Sequence, residues 1–400
     1  MSGGAGDSAL SPRALFHAFA LLWLCGIALR LTILSVPPVI TAIQADLALS
    51  GTEVGLLSAL PVVVFGLFAL PGSILVARFG IAATLAAGLL IGAVGAALRG
   101  ALLSTPVLFT ATIIMAAGIA MMQVALPAAV RQWMPNRAGF ATALYTNGLL
   151  LGEILPVALT IAFVLPLTGG SWRLSLAFWG LPLVAIAILT LLMAPKRAAS
   201  RPGSAPPVHW SPDWTERRVW QFGLTFIGAT STYFGTNAFV PGYLETAGRP
   251  DLIGSVLTAL NAGQMPVSLL LLVFAGRLTR QPWSLPIVGI VSLLCLLGIA
   301  TTASHWTIAF AGVLGGMLAA ALTLVLTLPV LYCDQEDIAR VSAGMFMVGY
   351  AAAVVISVAG GAAWDISGTA RAAFVPIALG ILPLIVMPFL IHRRVQPAAA

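Results

Sequence analysis

Residues 195–217 read PKRAASRPGSAPPVHWSPDWTER and form the only long polar stretch in this chain. The stretch contains five prolines and four basic residues, a composition that is typical of a linker. The apolar run 172–194 precedes it and the apolar run 218–242 follows it. This pattern predicts an N-terminal half at residues 1–194, a linker at 195–217 and a C-terminal half at 218–400.

The composition on both sides of the linker is that of a membrane protein. Of the 400 residues, 60% are hydrophobic and only 8% are charged, and the mean hydropathy is +1.04. A soluble domain averages about 25% charged residues, so this chain cannot cover a water-exposed surface. The composition excludes a soluble enzyme, a nucleic-acid binder and a disordered chain. Three widely separated cysteines (Cys25, Cys295 and Cys333) have no metal-ligand spacing.

Each half contains six apolar runs long enough to cross a bilayer, which takes about 20 helical residues. The sequence therefore predicts an all-α membrane protein with twelve transmembrane helices in two six-helix bundles. The predicted spans are 15–36, 54–76, 81–103, 106–130, 139–165, 172–194, 218–242, 252–275, 284–303, 306–331, 341–362 and 371–391.

Basic residues indicate the orientation of the spans. If the N-terminus is cytoplasmic, 14 of the 19 Lys and Arg residues fall on the cytoplasmic side. Arg30 lies inside a span, and four fall outside: Arg99, Arg173, Arg249 and Arg371. This bias predicts that both termini are cytoplasmic.

The two halves also repeat short segments at an offset near 200 residues. Residues 57–60 (LSAL) correspond to 257–260 (LTAL), and Leu126-Pro127 corresponds to Leu328-Pro329. The common order of the matches indicates a duplication. Two parallel repeats with a site between them at the bilayer midplane are typical of a secondary transporter.

Two charged side chains, Arg30 and Glu153, lie well inside the predicted spans. Each lies about 15 residues above the cytoplasmic end of its span, so both are expected roughly 22 Å up the helix. Charges inside a membrane are costly and suggest function. Arg30 is predicted to bind an anionic or electron-rich substrate, with Glu153 as counter-ion or proton carrier. The alternative is a structural ion pair that joins spans 1 and 5.

Polar side chains at helical spacing mark further candidate positions. Such stripes must face protein or water rather than lipid, so they either line a cavity or join packed helices. Span 5 carries Thr142, Thr146 and Glu153, with Asn147 beside them; span 7 carries Thr230, Tyr233 and Asn237; span 8 carries Asn261, Gln264 and Ser268. Trp23 lies seven residues before Arg30 on the same helical face and is a candidate for stacking on a flat ligand. The predicted substrate-binding residues are Arg30, Trp23, Gln123, Tyr145, Asn147, Tyr233, Asn237, Asn261 and Tyr350.

Several motifs resemble those of the major facilitator superfamily, and within it the branch of cyanate and 2-nitroimidazole transporters. The matching segments are Arg30, Asp46–Ser50 (DLALS), Gly55–Leu57 (GLL), Leu60–Val62 (LPV), Phe65–Ala69 (FGLFA), Leu126-Pro127, Thr142–Tyr145 (TALY) and Trp172–Leu174 (WRL). In the family's loop after span 2, this chain keeps Arg78 and Gly80, which the resemblance assigns to a gating loop. Ser73 and Ala77 replace the family's Gly and Asp, so the loop lacks the carboxylate of the family's gating salt bridge.

The motifs and the resemblance together predict a secondary active transporter of the bacterial inner membrane for a small, anionic solute such as cyanate or a small organic anion. One alternative is an exporter of neutral planar compounds such as nitroimidazoles, and another is a non-transporting membrane receptor. No P-loop is present, so we expect no ATP-driven step. We expect no enzyme activity, cofactor, metal or nucleic acid. The expected partners are the solute, a coupling proton and the lipid bilayer, and the expected state is a monomer.

Overall fold

The computed structural model describes residues 12–49, 51–195 and 211–392. Within these ranges the chain forms twelve long helical units and no β-strand. The first six are α1 (Pro12–Leu31), α2 (Gly51–Phe79), α3 (Ile81–Leu98), α4 (Thr105–Trp133), α5 (Ala138–Leu159) and α6 (Trp172–Phe178 with Leu181–Met193). The second six are α7 (Arg217–Thr246), α8 (Ile253–Ala262 with Gln264–Thr279), α9 (Ser284–Thr301), α10 (Trp306–Tyr332), α11 (Ile338–Ser367) and α12 (Phe374–His392).

Eleven helices in the described residues are long and apolar enough to cross a membrane. The predicted seventh span, α7, is a helix of 30 residues but is not among those eleven. Its middle carries Thr, Ser, Tyr and Asn side chains in place of aliphatic ones. Because such groups must be satisfied inside the protein, α7 lies against α11 and α12 rather than wholly in lipid.

Proline explains why two of the predicted spans are broken helices. Pro has no N–H and its ring clashes with the carbonyl four residues earlier. The first segment of α6 ends at Phe178, four residues before Pro182. The first segment of α8 likewise ends at Ala262, four residues before Pro266. Beyond Leu31, α1 gives way to short turns and the helix Ile40–Leu47 on the side away from the termini.

Helix packing repeats between the first and second six helices. In the first set α1 packs on α5, α2 on α4, and α3 on α4 and α6. In the second set α7 packs on α11, α8 on α10, and α9 on α10 and α12. Between the sets, α2 packs on α11 and α5 packs on α8. These two contacts are equivalent, because α2 and α5 of the first set correspond to α8 and α11 of the second. The fold is therefore two pseudo-symmetric six-helix bundles.

The predicted linker lies largely outside the described residues, at 196–210. Where the chain resumes, Glu216 accepts a hydrogen bond from Nη2 of Arg340 at 3.1 Å, and Nε of Arg340 donates to Asp337 at 2.7 Å. Partial burial raises the pKa of the Glu216 carboxyl, and the guanidinium of Arg340 opposes that shift. These ion pairs join the start of α7 to the start of α11.

Candidate functional site

The site begins with a close crossing of α1 and α5. A Cβ atom on Gly152 would collide with the backbone carbonyl of Ile27, and Gly148 makes the same backbone approach one turn earlier. With no side chains between them, the two helices lie in direct contact. Arg30, three residues beyond Ile27, is therefore level with Glu153.

Arg30 and Glu153 form an ion pair inside the bundle. Nε of Arg30 donates to Oε1 of Glu153 at 3.2 Å, and Arg30 is only 8% exposed. Nη1 of Arg30 is buried and has no hydrogen-bond partner. The Cζ atom lies 5.6 Å from the ring centre of Phe65, a cation–π distance. The guanidinium is thus held in place but keeps unused donor capacity, which a ligand can take up.

The C-terminal half contributes a polar network opposite this pair. The hydroxyl of Tyr233 donates to Oδ1 of Asn261 at 3.2 Å, and Nδ2 of Asn261 donates to Oδ1 of Asn237 at 3.3 Å. Tyr233 also lines both of the cavities that Arg30 and Glu153 line. The structure therefore brings three of the predicted residues on α7 and α8 to the ion pair on α1 and α5.

Tyr350 of α11 reaches the site from the second half as well. Its hydroxyl accepts a hydrogen bond from Nε2 of Gln123 on α4 at 2.8 Å. Its ring lies at 5.4 Å from the rings of Phe65 and Phe226, and Phe234 follows at 6.5 Å. The result is an aromatic wall beside Arg30, in which Gln123 supports Tyr350 rather than lining the cavity itself.

Trp23, Asn147 and Tyr145 lie on a different level. Trp23 is about 10 Å nearer to the terminal end of α1 than Arg30 is. Its indole N–H donates to Oδ1 of Asn147 at 3.2 Å, and Nδ2 of Asn147 donates to Ser268 on α8 at 3.2 Å. Tyr145 is buried, and its hydroxyl has no partner. The structure places Trp23 and Asn147 in the contact between α1, α5 and α8, and none of the three residues lines the central cavities.

Two cavities meet at the Arg30–Glu153 pair. The smaller measures about 40 Å³ and is lined also by Gln264 and Tyr350. The larger measures about 250 Å³ and extends past the last residues of α1 to the side away from the termini. Both share Arg30, Glu153, Tyr233 and Phe234. In this conformation the site continues toward the side opposite the termini.

On the side of the termini the two halves touch. Gly139 at the start of α5 meets Gly276 near the end of α8 in backbone contact. About two turns deeper, the hydroxyls of Thr146 and Thr323 lie 3.0 Å apart. In the loop after α10, Nε2 of Gln335 donates to the carbonyl of Ala128 at 3.3 Å. These contacts close the path between the Arg30 site and that surface.

The predicted gating loop lies at that same surface. Arg78 is exposed and forms no ion pair with any residue that the structure describes. Gly80 has a φ of 82°, a left-handed value that favours glycine, and precedes the first residue of α3. It lines a separate cavity of about 340 Å³, which shares no lining residue with the Arg30 site.

Sequence reasoning missed several residues of the site. The sequence does not mark Phe65 and Phe234 as site residues, because an aromatic residue in an apolar helix is usually part of the hydrophobic core. Gln264 belongs to the predicted polar stripe of α8 but is not among the predicted substrate-binding residues, although its Nε2 is buried without a partner and it lines the smaller cavity. Arg99 is predicted to lie in an outside loop, yet its side chain is fully buried.

The described ranges contain no cluster of potential metal ligands. No group of three or more His, Cys, Asp or Glu side chains lies together there. All three cysteines are buried and unpaired.

A helical membrane protein with repeated halves and a charged cavity between them has the architecture of a secondary transporter. The model of the Major Facilitator Superfamily matches residues 22–280, more than half of the chain. The chain therefore belongs to the Major Facilitator Superfamily, as the sequence motifs predicted.

Its relatives are transporters, not enzymes. The uncharacterized transporter YycB of Bacillus subtilis (strain 168) is 28% identical over 365 residues, which cover 90% of this chain and 88% of that protein. The cyanate transport protein CynX of Escherichia coli (strain K12) is 28% identical over 264 residues, 65% of this chain and 67% of that protein. The 2-nitroimidazole transporter of the same organism is 25% identical over 303 residues, 74% of this chain and 76% of that protein.

A solved structure shares the fold. The crystal structure of the E. coli fucose:proton symporter FucP matches with a TM-score of 0.72 and covers 94% of this chain and 99% of that chain. The two sequences are 15% identical, so this likeness concerns the fold alone.

Proposed function

We propose that this protein is a secondary active transporter that moves a small anionic solute, such as cyanate or a small organic anion, across the bacterial inner membrane by alternating access. The observation that carries the proposal is the buried guanidinium of Arg30, which keeps an unpartnered nitrogen where two cavities meet between the halves. Guanidinium groups bind planar and linear anions through parallel N–H donors. The relatedness to a cyanate transport protein supports the same class of solute.

Glu153 gives a means of coupling transport to protons. A bound anion and the Glu153 carboxylate compete for the same guanidinium, because both accept from Arg30. Protonation of Glu153 removes this competitor, so a bound proton and a bound anion favour each other. The solute would then travel with a proton, and lower pH on the open side would favour loading.

Both termini would face the cytoplasm, as the distribution of basic residues indicates. The larger cavity would then lie on the periplasmic side, ready for uptake. We further propose that the transporting unit is a monomer, because both halves of the site come from one chain.

A second candidate function is the export of neutral planar compounds. The aromatic wall of Phe65, Phe226, Phe234 and Tyr350 favours it, since flat heterocycles stack on such rings. A 2-nitroimidazole transporter among the relatives supports the same alternative. The buried charge of Arg30 favours the anion instead, because a neutral ligand leaves that charge with only Glu153.

The two candidates are separated by a thermal-shift panel on the purified protein. Sodium cyanate, thiocyanate and formate are compared with neutral nitroimidazoles, and sodium gluconate serves as the control for ionic strength. We expect stabilisation by the small anions that saturates with concentration. Saturable stabilisation by the neutral heterocycles alone would contradict the anion proposal.

Replacing Glu153 with Gln tests the proton carrier. In proteoliposomes with an imposed pH gradient, we expect the variant to lose accumulation, so that the inside-to-outside ratio falls to about one, while solute exchange at equal pH continues. Glu245→Gln, an exposed carboxylate outside the site, is the matched control and should accumulate solute like the wild type. Full pH-driven accumulation by Glu153→Gln would exclude Glu153 as the carrier.

A further inference from the structure

Arg99 is a second buried guanidinium, and it lies at the end of α3. It follows the last residue of that helix, Leu98, and its side chain has no exposed surface. Nη2 donates to the carbonyl oxygen of Thr32 at 2.8 Å and to Oγ of Ser35 at 3.4 Å. Nε and Nη1 are buried and have no hydrogen-bond partner.

Within the described ranges, no carboxylate neutralises Arg99. None of the ion pairs among the described residues includes it, whereas Arg30 is paired with Glu153. A buried charge without a counter-ion is strongly unfavourable unless another group compensates for it. The carbonyl end of α1 supplies part of that compensation through Thr32. Because this role uses only one of the three guanidinium nitrogens, it does not account for the other two.

The position of Arg99 links it to the transport site. It lines the same cavity of about 250 Å³ as Arg30 and Glu153, together with residues just beyond the end of α1. The wall of this cavity thus contains two guanidinium groups and one carboxylate, which leaves one positive charge unbalanced. Most other residues of the wall are apolar, such as Leu57, Pro61 and Met115. A small anion that enters the cavity would complete this charge balance.

We propose that Arg99 forms a second anion subsite in the wall of the larger cavity, called the outer cavity from here on, which binds a small monovalent anion before it passes to Arg30. This inference rests on the proposed transport of an anion and adds a residue to it. Since Arg99 has no exposed surface here, binding requires the turn that follows α1 to move aside. Thr32 and Ser35 accept hydrogen bonds from Arg99 and belong to that turn. Occupancy of the subsite is therefore connected to movement of the turn.

The binding test uses the purified full chain and thiocyanate, a linear monovalent anion, in isothermal titration calorimetry at constant ionic strength. We expect two binding events in the wild type, a tighter one at Arg30 and a weaker one at Arg99. The double variant Arg30→Ala with Glu153→Gln should keep the weaker event, and Arg99→Gln should lose it. The control Arg173→Gln removes a positive charge at the same end, where Arg173 bonds to the carbonyls of Gly100 and Ala101 and lines none of the site cavities, and should keep both.

The transport test measures cyanate uptake in proteoliposomes. For Arg99→Gln we expect KM to rise about tenfold with little change in kcat, because the capture step weakens while the Arg30 site is intact. Arg99→Lys keeps the charge and should restore most of the affinity, which also covers the case in which Arg99→Gln folds poorly. Two binding events and an unchanged KM in Arg99→Gln would overturn the subsite.

The outcomes separate this inference from the proposed function. If the wild type binds no small anion, the anion proposal and the subsite both fail. If the wild type binds and transports cyanate but Arg99→Gln behaves identically, only the subsite fails. If the Arg30 double variant keeps both binding events while Arg99→Gln loses the weaker one, the subsite stands and the role of Arg30 is overturned.

Discussion

Replacing Arg30 with Ala should lower solute uptake by roughly 100-fold, because truncating one partner of a buried charge pair, here Arg30 with the bound anion, costs about 2–5 kcal/mol of binding free energy and each 1.4 kcal/mol is a factor of about ten. Among the described residues, Arg30 is the only basic side chain within ion-pair distance of Glu153, and the variant removes it. It also removes the unpartnered Nη1 that would contact an anion. The measurement is initial uptake of labelled cyanate into proteoliposomes, normalised to folded protein.

A matched set of variants separates loss of binding from loss of folding. Arg30→Ala alone leaves Glu153 as an uncompensated buried carboxylate and is expected to reduce the yield. The double variant Arg30→Ala with Glu153→Gln removes both charges, so it should regain the wild-type yield and elution profile but not uptake. Arg30→Lys keeps the charge without the planar donor fork and should retain partial activity. Uptake at the wild-type level by a folded Arg30→Ala variant would remove the basis of the anion proposal.

Replacing Gly139 with Val should abolish most transport by a different route. A Cβ atom on Gly139 would overlap the backbone of Gly276, which cannot move aside as a flexible side chain could. The contact between α5 and α8 on the side of the termini then cannot close. We expect the conformation in which the outer cavity is accessible to become at least about tenfold less populated, and uptake to fall accordingly.

Cysteine labelling reports this shift. Leu34 lines the outer cavity and is partly exposed, and the three native cysteines are buried, so a Leu34→Cys reporter should dominate the labelling by a membrane-impermeant maleimide. Its labelling rate should fall when Gly139→Val is added. Gly361→Val on α11 is the control, since an added Cβ at Gly361 meets no atom within 4 Å. Equal labelling and uptake in the Gly139 variant and the control would show that this contact does not govern the conformational change.

The conformation itself follows from how the halves meet. Backbone contact at Gly139 and Gly276, with the hydrogen bond from Gln335 to Ala128, holds them together near the termini. The larger cavity opens the opposite side next to Arg30. Alternating access would exchange these two arrangements, with the pseudo-symmetric contacts of α2 with α11 and α5 with α8 as the moving interfaces.

The site could be predicted in part because membrane burial makes polar groups conspicuous. Arg30, Glu153 and the stripe of Tyr233 and Asn237 stand out in apolar helices, and the structure brings them together. The same criterion selected Asn147, which instead joins Trp23 to Ser268 between helices. A polar group in a helix must find a partner, but the sequence does not say whether that partner is a ligand or another helix.

The amino-acid sequence by itself determined most of the spans, the repeat of the two halves, the family and the common level of Arg30 and Glu153. It could do so because lipid forces each span to satisfy its own backbone hydrogen bonds within a helix. The length and hydropathy of each span can therefore be recognised from the linear sequence. Only the tertiary structure decided that Arg30 keeps a free nitrogen, that Arg99 is buried with no counter-ion among the described residues, and which side of the molecule is closed. Those properties depend on how far each helix is rotated and how closely it approaches its neighbours. Glycines that are far apart in the sequence jointly determine these close approaches.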